Sequence, residues 1–494
     1  MGSVFGTYSI AYSGMVVSQA ALAATSTNLA NVNTTGASKV EVANAELNTV
    51  LSNGTSTGDG VSVASITRSR DLFLDGTYRS QNAASAYLSV KSGNLAYMDE
   101  ILGEYDTSSA DTTTTTSGVQ ATIDDFFSAW ETVSTDSASE SSRTSVISAG
   151  VDLVEILVNV DEQLQQLQKD AVTGVQDGVD SLNDLSAQVA DLNEQITQAE
   201  AGGGEASYLR DQRDQLLDEM SALANIKVTE TGNGLQVSIG GINLVNGSET
   251  HTLAVEGDGS ANNPLTVVWE DLDCEANIAS GSIKAYLEDA DQTGYETIDE
   301  SSLPYDLTTD ATSSISTLRQ AMNDLITTIA AKVNSLSTAG VDLDGNSGLA
   351  FFTALDSDQP LSITNIEVNA ELVADSDKLV TSSGTADGDN SIAKQVCDLA
   401  DDSTLYQSGG LSMDITDFYK SVISWLGTAG ESAANSYKTQ AALVSQLDTQ
   451  RQSVSSISTD EELANMIKYQ NAYAASARVI STIDGLLGDL IDAF

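Results

Sequence analysis

Apolar and small residues recur in a four-three rhythm near the start of the chain, at Val4, Tyr8, Ala11, Met15, Leu22 and Leu29, with Ser18 and Thr25 at the remaining seam positions. This is heptad spacing, and it predicts a helix that packs on another helix. The far end repeats the pattern. Met466, Tyr473, Ile480, Leu487 and Phe494 fall every seventh residue, with Tyr469, Ile483 and Leu490 three positions after members of that row. Each stripe needs a partner. The simplest partner for one end is the other, with further copies or related subunits packed around the pair, so both ends are expected to order on assembly. An antiparallel pair inside an ordinary globular core has the same periodicity.

Between the ends the period changes several times. Gly60 to Ile66 alternates as a strand, and helical spacing returns through Leu88, Leu95, Met98 and Leu102. A Ser/Thr-rich loop is expected over Thr107 to Ser117. Ile123 to Trp130 reads as an amphipathic turn burying Phe126, Phe127 and Trp130, with Arg143 opening the next helix. Helix is expected over Val151 to Leu167, and a stripe from Val175 to Ile196 continues until Gly202, Gly203 and Gly204 make a corner. Tyr208 starts the return helix, which ends near Asn225. Beyond it, Ile226 to Thr229, Leu235 to Ile239 and Ile242 to Val245 alternate between glycine-rich turns and predict a β-meander, extended by strands at Thr252 to Val255 and Leu265 to Trp269. Helix returns over Ile315 to Leu336. A further strand is expected at Ile363 to Val368, and a last helical arm runs from Ile415 to Leu447.

Charge sharpens the reading of the ends. The chain of 494 residues holds 71 acidic and 20 basic side chains, a net charge of -51, yet its first 38 residues contain no Asp, Glu, Lys or Arg. A surface this acidic repels nucleic acid and anionic lipid, and polar residues interrupt every long apolar window, so neither nucleic-acid binding nor membrane insertion is expected. Lys39 is the first positive charge, so no basic region precedes an apolar run as in a cleaved secretory signal. Cys274 and Cys397 make no disulfide framework.

Candidate chemistry is sparse. His251 is the sole histidine and sits in an expected strand. Asp342, Asp344 and Asn346 have the spacing of the first three oxygen ligands of a calcium loop, but Ser347 and Thr353 stand where that loop needs Gly and Glu. The triple glycine lacks the Lys-Ser/Thr of a phosphate loop. No enzyme, cofactor or metal site is expected.

The N-terminal helix runs into Asn28, Leu29, Ala30, Asn31, Val32, Asn33, Thr34, Thr35 and Gly36, chemistry that stops a helix and turns the chain. This string resembles the signature of the flagellar rod, hook and hook-associated axial proteins, carried by Asn28, Ala30, Asn31, Asn33, Thr34 and Gly36, with Ala37 where that family often has an aromatic. The Phe126 and Phe127 block, together with Leu209, Asp211, Arg213 and Asp214, resembles the helical domain of the hook-associated members that join hook to filament.

The resemblance implies an elongated multi-domain α+β axial protein. Residues 1–38 plus 455–494 would form the coiled-coil-like inner tube domain. Residues 39–226, 305–340 and 410–454 would form a helical-bundle middle domain, 227–304 a β-rich outer insertion, and 341–409 a β or loop segment, either separate or part of the outer domain. Implied partners are copies of the chain in a ring, the hook protein, the second junction protein and an export chaperone on the C-terminal helix. The implied location is the extracellular flagellum, reached by type III flagellar export. Rival readings are another axial subunit, of hook or filament, and a secreted adhesin using the exposed β domain.

Overall fold

A computed structural model describes residues 2–50, 56–103, 118–231, 234–272, 274–292, 305–306, 313–384, 389–408 and 410–492. The expected Thr107 to Ser117 loop and Phe494 lie outside them. Helix α1 (Gly2–Asn31) leads through turns into a long antiparallel hairpin, β1 (Val40–Val50) and β2 (Ser56–Arg68). Asp71 then caps α2 (Leu72–Leu102), its side chain accepting from the amides of Phe73 and Leu74. After α3 (Val119–Thr135) comes α4 (Glu140–Glu200), a helix of 61 residues, about 90 Å long at 1.5 Å per residue. The triple glycine lies in the turn back into α5 (Ser207–Leu223).

Residues 227–275 form two small antiparallel sheets. One is a meander of β3 (Lys227–Thr231), β4 (Gly234–Ile239), β5 (Ile242–Asn246) and β6 (Glu249–Thr250). The other orders β7 (Leu253–Glu256), β8 (Thr266–Trp269) and β9 (Cys274–Glu275), and α6 (Ser282–Ala290) follows it. Strand β10 (Tyr305–Asp306), helix α7 (Ser314–Ala339), strands β11 (Phe352–Thr353) and β12 (Glu367–Val368), helices α8 (Ala370–Ala374) and α9 (Ser391–Asp398), and strands β13 (Tyr406–Ser408) and β14 (Leu411–Met413) come next. The chain closes with α10 (Ile415–Ser455) and α11 (Thr459–Asp492).

Two apolar cores share α4. Its first half joins α3, α7 and the start of α10, around Phe126, Trp130, Phe351 and Phe352. There Phe126 meets Phe351 at 5.9 Å and Phe351 meets Phe352 at 4.8 Å between ring centroids, both edge to face. The second half of α4 carries Val175, Val179, Leu182 and Val189 against Leu217 and Met220 of α5, Val237 and Trp269 of the sheets, and Ile283 of α6.

The structure differs from the sequence reading in several places. Arg143, expected to open the helix, is buried inside α4, which starts at Glu140, and donates to the Leu379 carbonyl and the Thr381 hydroxyl. Glycines inside α4 are seats for neighbours: a Cβ at Gly150 would stand 2.6 Å from the Phe351 ring, and one at Gly178 2.7 Å from Ile283. The 341–409 segment puts Phe351, Phe352, Ile363, Leu379 and Val396 into the first core, away from the outer sheets. Only Glu367–Val368 of the expected Ile363 to Val368 strand pairs as one. Ile363 instead sits at a turn, its amide donating 2.9 Å to Asn323 Oδ1. Strand β1 was not expected at all.

The glycine seats give an expected contrast in stability. Gly150→Ala forces a methyl into a ring cluster that cannot yield, and should cost about 1–3 kcal/mol. Gly427→Ala in α10, where nothing lies within 4 Å, should gain up to about 1 kcal/mol from helix propensity. Urea denaturation of the two variants checks the opposite signs.

Candidate functional site: the paired ends and the joint beneath them

Helices α1 and α11 lie antiparallel, with Asn28 against Glu462 and Gly14 against Ser476. A Cβ at Gly14 would stand 3.2 Å from Ser476 Oγ, so the backbones approach closely. The buried face of α1 is accordingly built of small side chains, Ala11, Ser18, Ala21, Ala24 and Thr25, with Asn28 at its end. The β hairpin lies along the same helix, where Ser13 Oγ accepts from the Val61 amide at 3.1 Å. Neighbouring Gly60 has φ +117, and a Cβ there would collide with Ser13.

Of the seam residues expected from sequence, Ala11, Ser18, Thr25 and Ile483 are buried, and Met15, Leu22, Leu29, Met466, Tyr469, Ile480 and Leu487 are half-buried. Tyr8 and Tyr473 are exposed, Tyr8 stacking on Tyr12 at 6.4 Å. The side chains of Val4 and Leu490 lie outside the described set, with Phe494. Each end lies on the other, as the spacing predicts, with mostly small residues of α1 against α11. What remains open is the outward face. It carries Phe5 (60% exposed), Tyr12 and Val16 on α1, and Ile467 (61%), Val479 and Leu486 (58%) on α11. Heptad reading missed these because they lie off the row it followed.

The Asn-rich turn is held by its own amides. Asn28 Oδ1 accepts from the Val40 amide at 2.9 Å, while its Nδ2 donates to the Val40 carbonyl at 3.0 Å and to Glu462 Oε2 at 3.1 Å. One side chain thereby ties α1 to β1 and to α11. Asn31 and Thr34 carry the turn onward through Thr34 N to Asn31 O and Ala37 N to Thr34 O. Gly36 supplies a left-handed residue at φ +81. Ala30 and Asn33 are exposed. At the exit the Ser38 amide donates 2.9 Å to Asp211 Oδ2, and the Lys39 amide donates 2.8 Å to the Ser455 carbonyl.

Below the turn is a charged joint. Asp211, Asp214 and Asp218 share one face of α5, as spacings of three and four residues require. Arg68 Nη1 at the end of β2 lies 2.7 Å from Asp211 and 2.8 Å from Asp214. Arg79 of α2 reaches Asp218 at 2.8 Å and Asp214 at 3.2 Å. Arg70 grips Asp75 with two nitrogens, at 2.9 and 3.1 Å. Arg451 of α10 bonds Asp218 and Asp448 and covers the Tyr78 ring at 4.0 Å. Burial works against ionisation of Asp214, but Arg70, Arg79 and Arg68 outweigh it and hold the carboxyl below the usual carboxylate range. Arg213, in the same string, points elsewhere: it donates 2.9 Å to Asn193 Oδ1 in the second core. Phe126 and Phe127 belong to the first core, and Leu209 is half-buried. Pairs joining residues this far apart leave no mark in local sequence.

Residues 106–352, half of the chain, match the family described as flagellar hook-associated protein FlgK helical domain. The chain belongs to that family. Residues 448–493 also match the flagellar basal body rod FlgEFG protein C-terminal family, a segment that spans the end of α10 and all of α11. Flagellar hook-associated protein 1 of Bacillus subtilis is 27% identical over 100% of this chain and 99% of its own length. The Escherichia coli protein of the same name is 26% identical over 98% of each. The structure of the flagellar hook junction protein FlgK from Burkholderia pseudomallei shares the fold, with a TM-score of 0.60 at 15% identity over 77% of this chain and 100% of that one.

Asp214 gives a test of the joint. Asp214→Asn leaves three arginines around a neutral amide and should cost about 3–5 kcal/mol. Because the folded carboxyl titrates below its unfolded value, its contribution is complete above about pH 4 and is lost as pH falls further. Denaturation of wild type and variant at pH 7 and pH 3 should show the gap narrowing at the lower pH.

Proposed function

We propose that the chain is a structural subunit that forms the junction ring between flagellar hook and filament, acting by contact and not by catalysis. The observation that carries this reading is the outward apolar face of the paired ends. In a chain of net charge -51, residues 1–38 hold no charge and residues 455–494 hold six acids against two bases, net -4, so 47 of the 51 excess negative charges lie elsewhere. A nearly neutral apolar surface joined to a strongly acidic body is suited to being buried between subunits while the body stays in water.

In this reading the ends of successive copies pack side by side in a heterologous contact that closes by rotation. The hook protein lies on one side and the second junction protein on the other. About 1,000 Å² of apolar surface buried per subunit supplies about 25 kcal/mol before ordering costs. An export chaperone shields the α11 face until assembly. Export leaves no need for a membrane span, and no helix among the described residues is long and apolar enough to make one.

Two outcomes are expected. A deletion strain should carry hooks without filaments and release filament protein into the medium, as seen by electron microscopy; filaments of normal length would refute the junction role. Ile467→Asp places a charge on the open face without touching the small-residue seam. It should leave the unfolding of the purified chain unchanged yet abolish filament growth in the complemented strain.

A further inference from the structure

Helix α6 follows the two small sheets and packs on both α4 and α2. Toward α4 the contact is made by shape: Gly174 and Gly178 seat Tyr286 and Ile283. Toward α2 it is made by hydrogen bonds. The Gly281 amide donates 3.1 Å to the Ala83 carbonyl, the Tyr87 hydroxyl donates 2.6 Å to Glu288 Oε2, and Asn94 Nδ2 donates 2.6 Å to Asp289 Oδ2.

Asp289 is the costly member of this contact. It is 7% exposed, its side-chain bond comes from a neutral amide, and among the described residues no cation pairs with it. The bases nearby serve its neighbour instead. Lys91 of α2 donates to the Tyr87 hydroxyl at 3.2 Å and stands 3.7 Å from Glu288, and Lys284 stands 3.5 Å from Glu288. Helices α4, α5 and α7 bring no charge that acts on the carboxyl; α7 approaches with its cap, the Ser313 hydroxyl donating 3.4 Å to the Asp289 carbonyl. Burial pushes the Asp289 carboxyl up to about 6, and Glu288 adds to this while Asn94 and Lys91 oppose it. Once ionised, a carboxylate has about four acceptor sites to satisfy, and here one amide is at hand. The rest must come from water, which reaches so enclosed a group only where α6 and α2 separate.

We propose that the Asn94–Asp289 bond is a proton-dependent latch: with Asp289 neutral, α6 is held on α2, and with Asp289 ionised the two helices part to admit water while the glycine seats keep α6 on α4. Protonation thereby tightens, and ionisation loosens, the α2 side of the second core. The carboxyl titrates higher in the closed chain than when exposed, so its contribution to closure is complete below about pH 4 and is lost as pH rises through about 6. From about pH 5 to about pH 7.5 the closed-to-open ratio falls about tenfold.

The test is hydrogen–deuterium exchange of the purified full chain, read by mass spectrometry on peptides covering 282–290 and 83–94 and corrected for the intrinsic pH dependence of exchange. In wild type both stretches should exchange about tenfold faster at pH 7.5 than at pH 5. Asp289→Asn keeps the shape and cannot ionise, and should hold the slower rate at both pH values. Asp324 in α7 is also pushed up by burial, to about 7, so Asp324→Asn serves as the control and should keep the wild-type difference. Equal exchange of wild type at the two pH values overturns the latch. A difference that survives Asp289→Asn, or one that disappears with Asp324→Asn, overturns it as well.

Discussion

Two helices whose contact joins residues 434 positions apart, Asn28 and Glu462, fix the plan of the molecule. Once α1 lies on α11, everything between them is an excursion that must return to its starting place. The chain does this by nesting. Helix α2 lies antiparallel on α10, with Gln440 bonding Gln81 and Arg451 covering Tyr78, and inside that pair α3 packs near α9. Closing a loop costs entropy that grows only with the logarithm of its length, so the outermost pair costs little more to close than the inner ones. The excursion can therefore hold two separate cores without weakening the closure of the ends.

The nested pairs use different physics. The α1–α11 seam is small and apolar and permits close backbone approach. The joint below it is the reverse, a set of arginines drawn from β2, α2 and α10 onto carboxylates that mostly line one face of α5. Ion pairs of this kind contribute less to net stability than their geometry suggests, because taking the charges from water costs nearly as much as pairing returns. Their effect is orientation. Each guanidinium has fixed donor directions, so the angle between the paired ends and the middle domain is set at several points at once.

Sequence made the periodic parts of this plan legible. The outer meander announces itself by alternation between glycine turns, and the α4 stripe is visible over most of its length. Glycines within that helix, Gly150, Gly174 and Gly178, are seats for Phe351, Tyr286 and Ile283. Strand β1 was lost because Val40–Val50 intersperses Ala, Asn and Glu and gives no strong alternation. The strings Asn28 to Gly36 and Leu209 to Asp214 were legible as likeness only. Their physical work, an amide bridging three segments and a carboxylate face collecting distant arginines, needs the fold to be seen. Of the buried row of α1, the heptad spacing picked out Ala11, Ser18 and Thr25 and passed over Val17, Ala21, Ala24 and Asn28. Hydrophobic scales mark large residues, and most of the buried row on α1 is small.

A seam of small residues has a weakness that the Asn28 and Glu462 pair answers. Ala, Ser, Gly and Thr present similar surfaces at every heptad, so sliding one helix by seven residues loses little packing. A polar contact does not tolerate such a slip. Glu462 is 2% exposed and accepts from an amide already committed to both backbone groups of Val40. Shifted by seven residues, the carboxylate would lose the Asn28 amide that now donates to it, a cost for a buried charge. The bond therefore works as a register pin of the kind that a single buried polar residue supplies in coiled coils. It also sits where α1, β1 and α11 converge, so the alignment of the outward face and the direction in which the chain leaves it are set by the same contact.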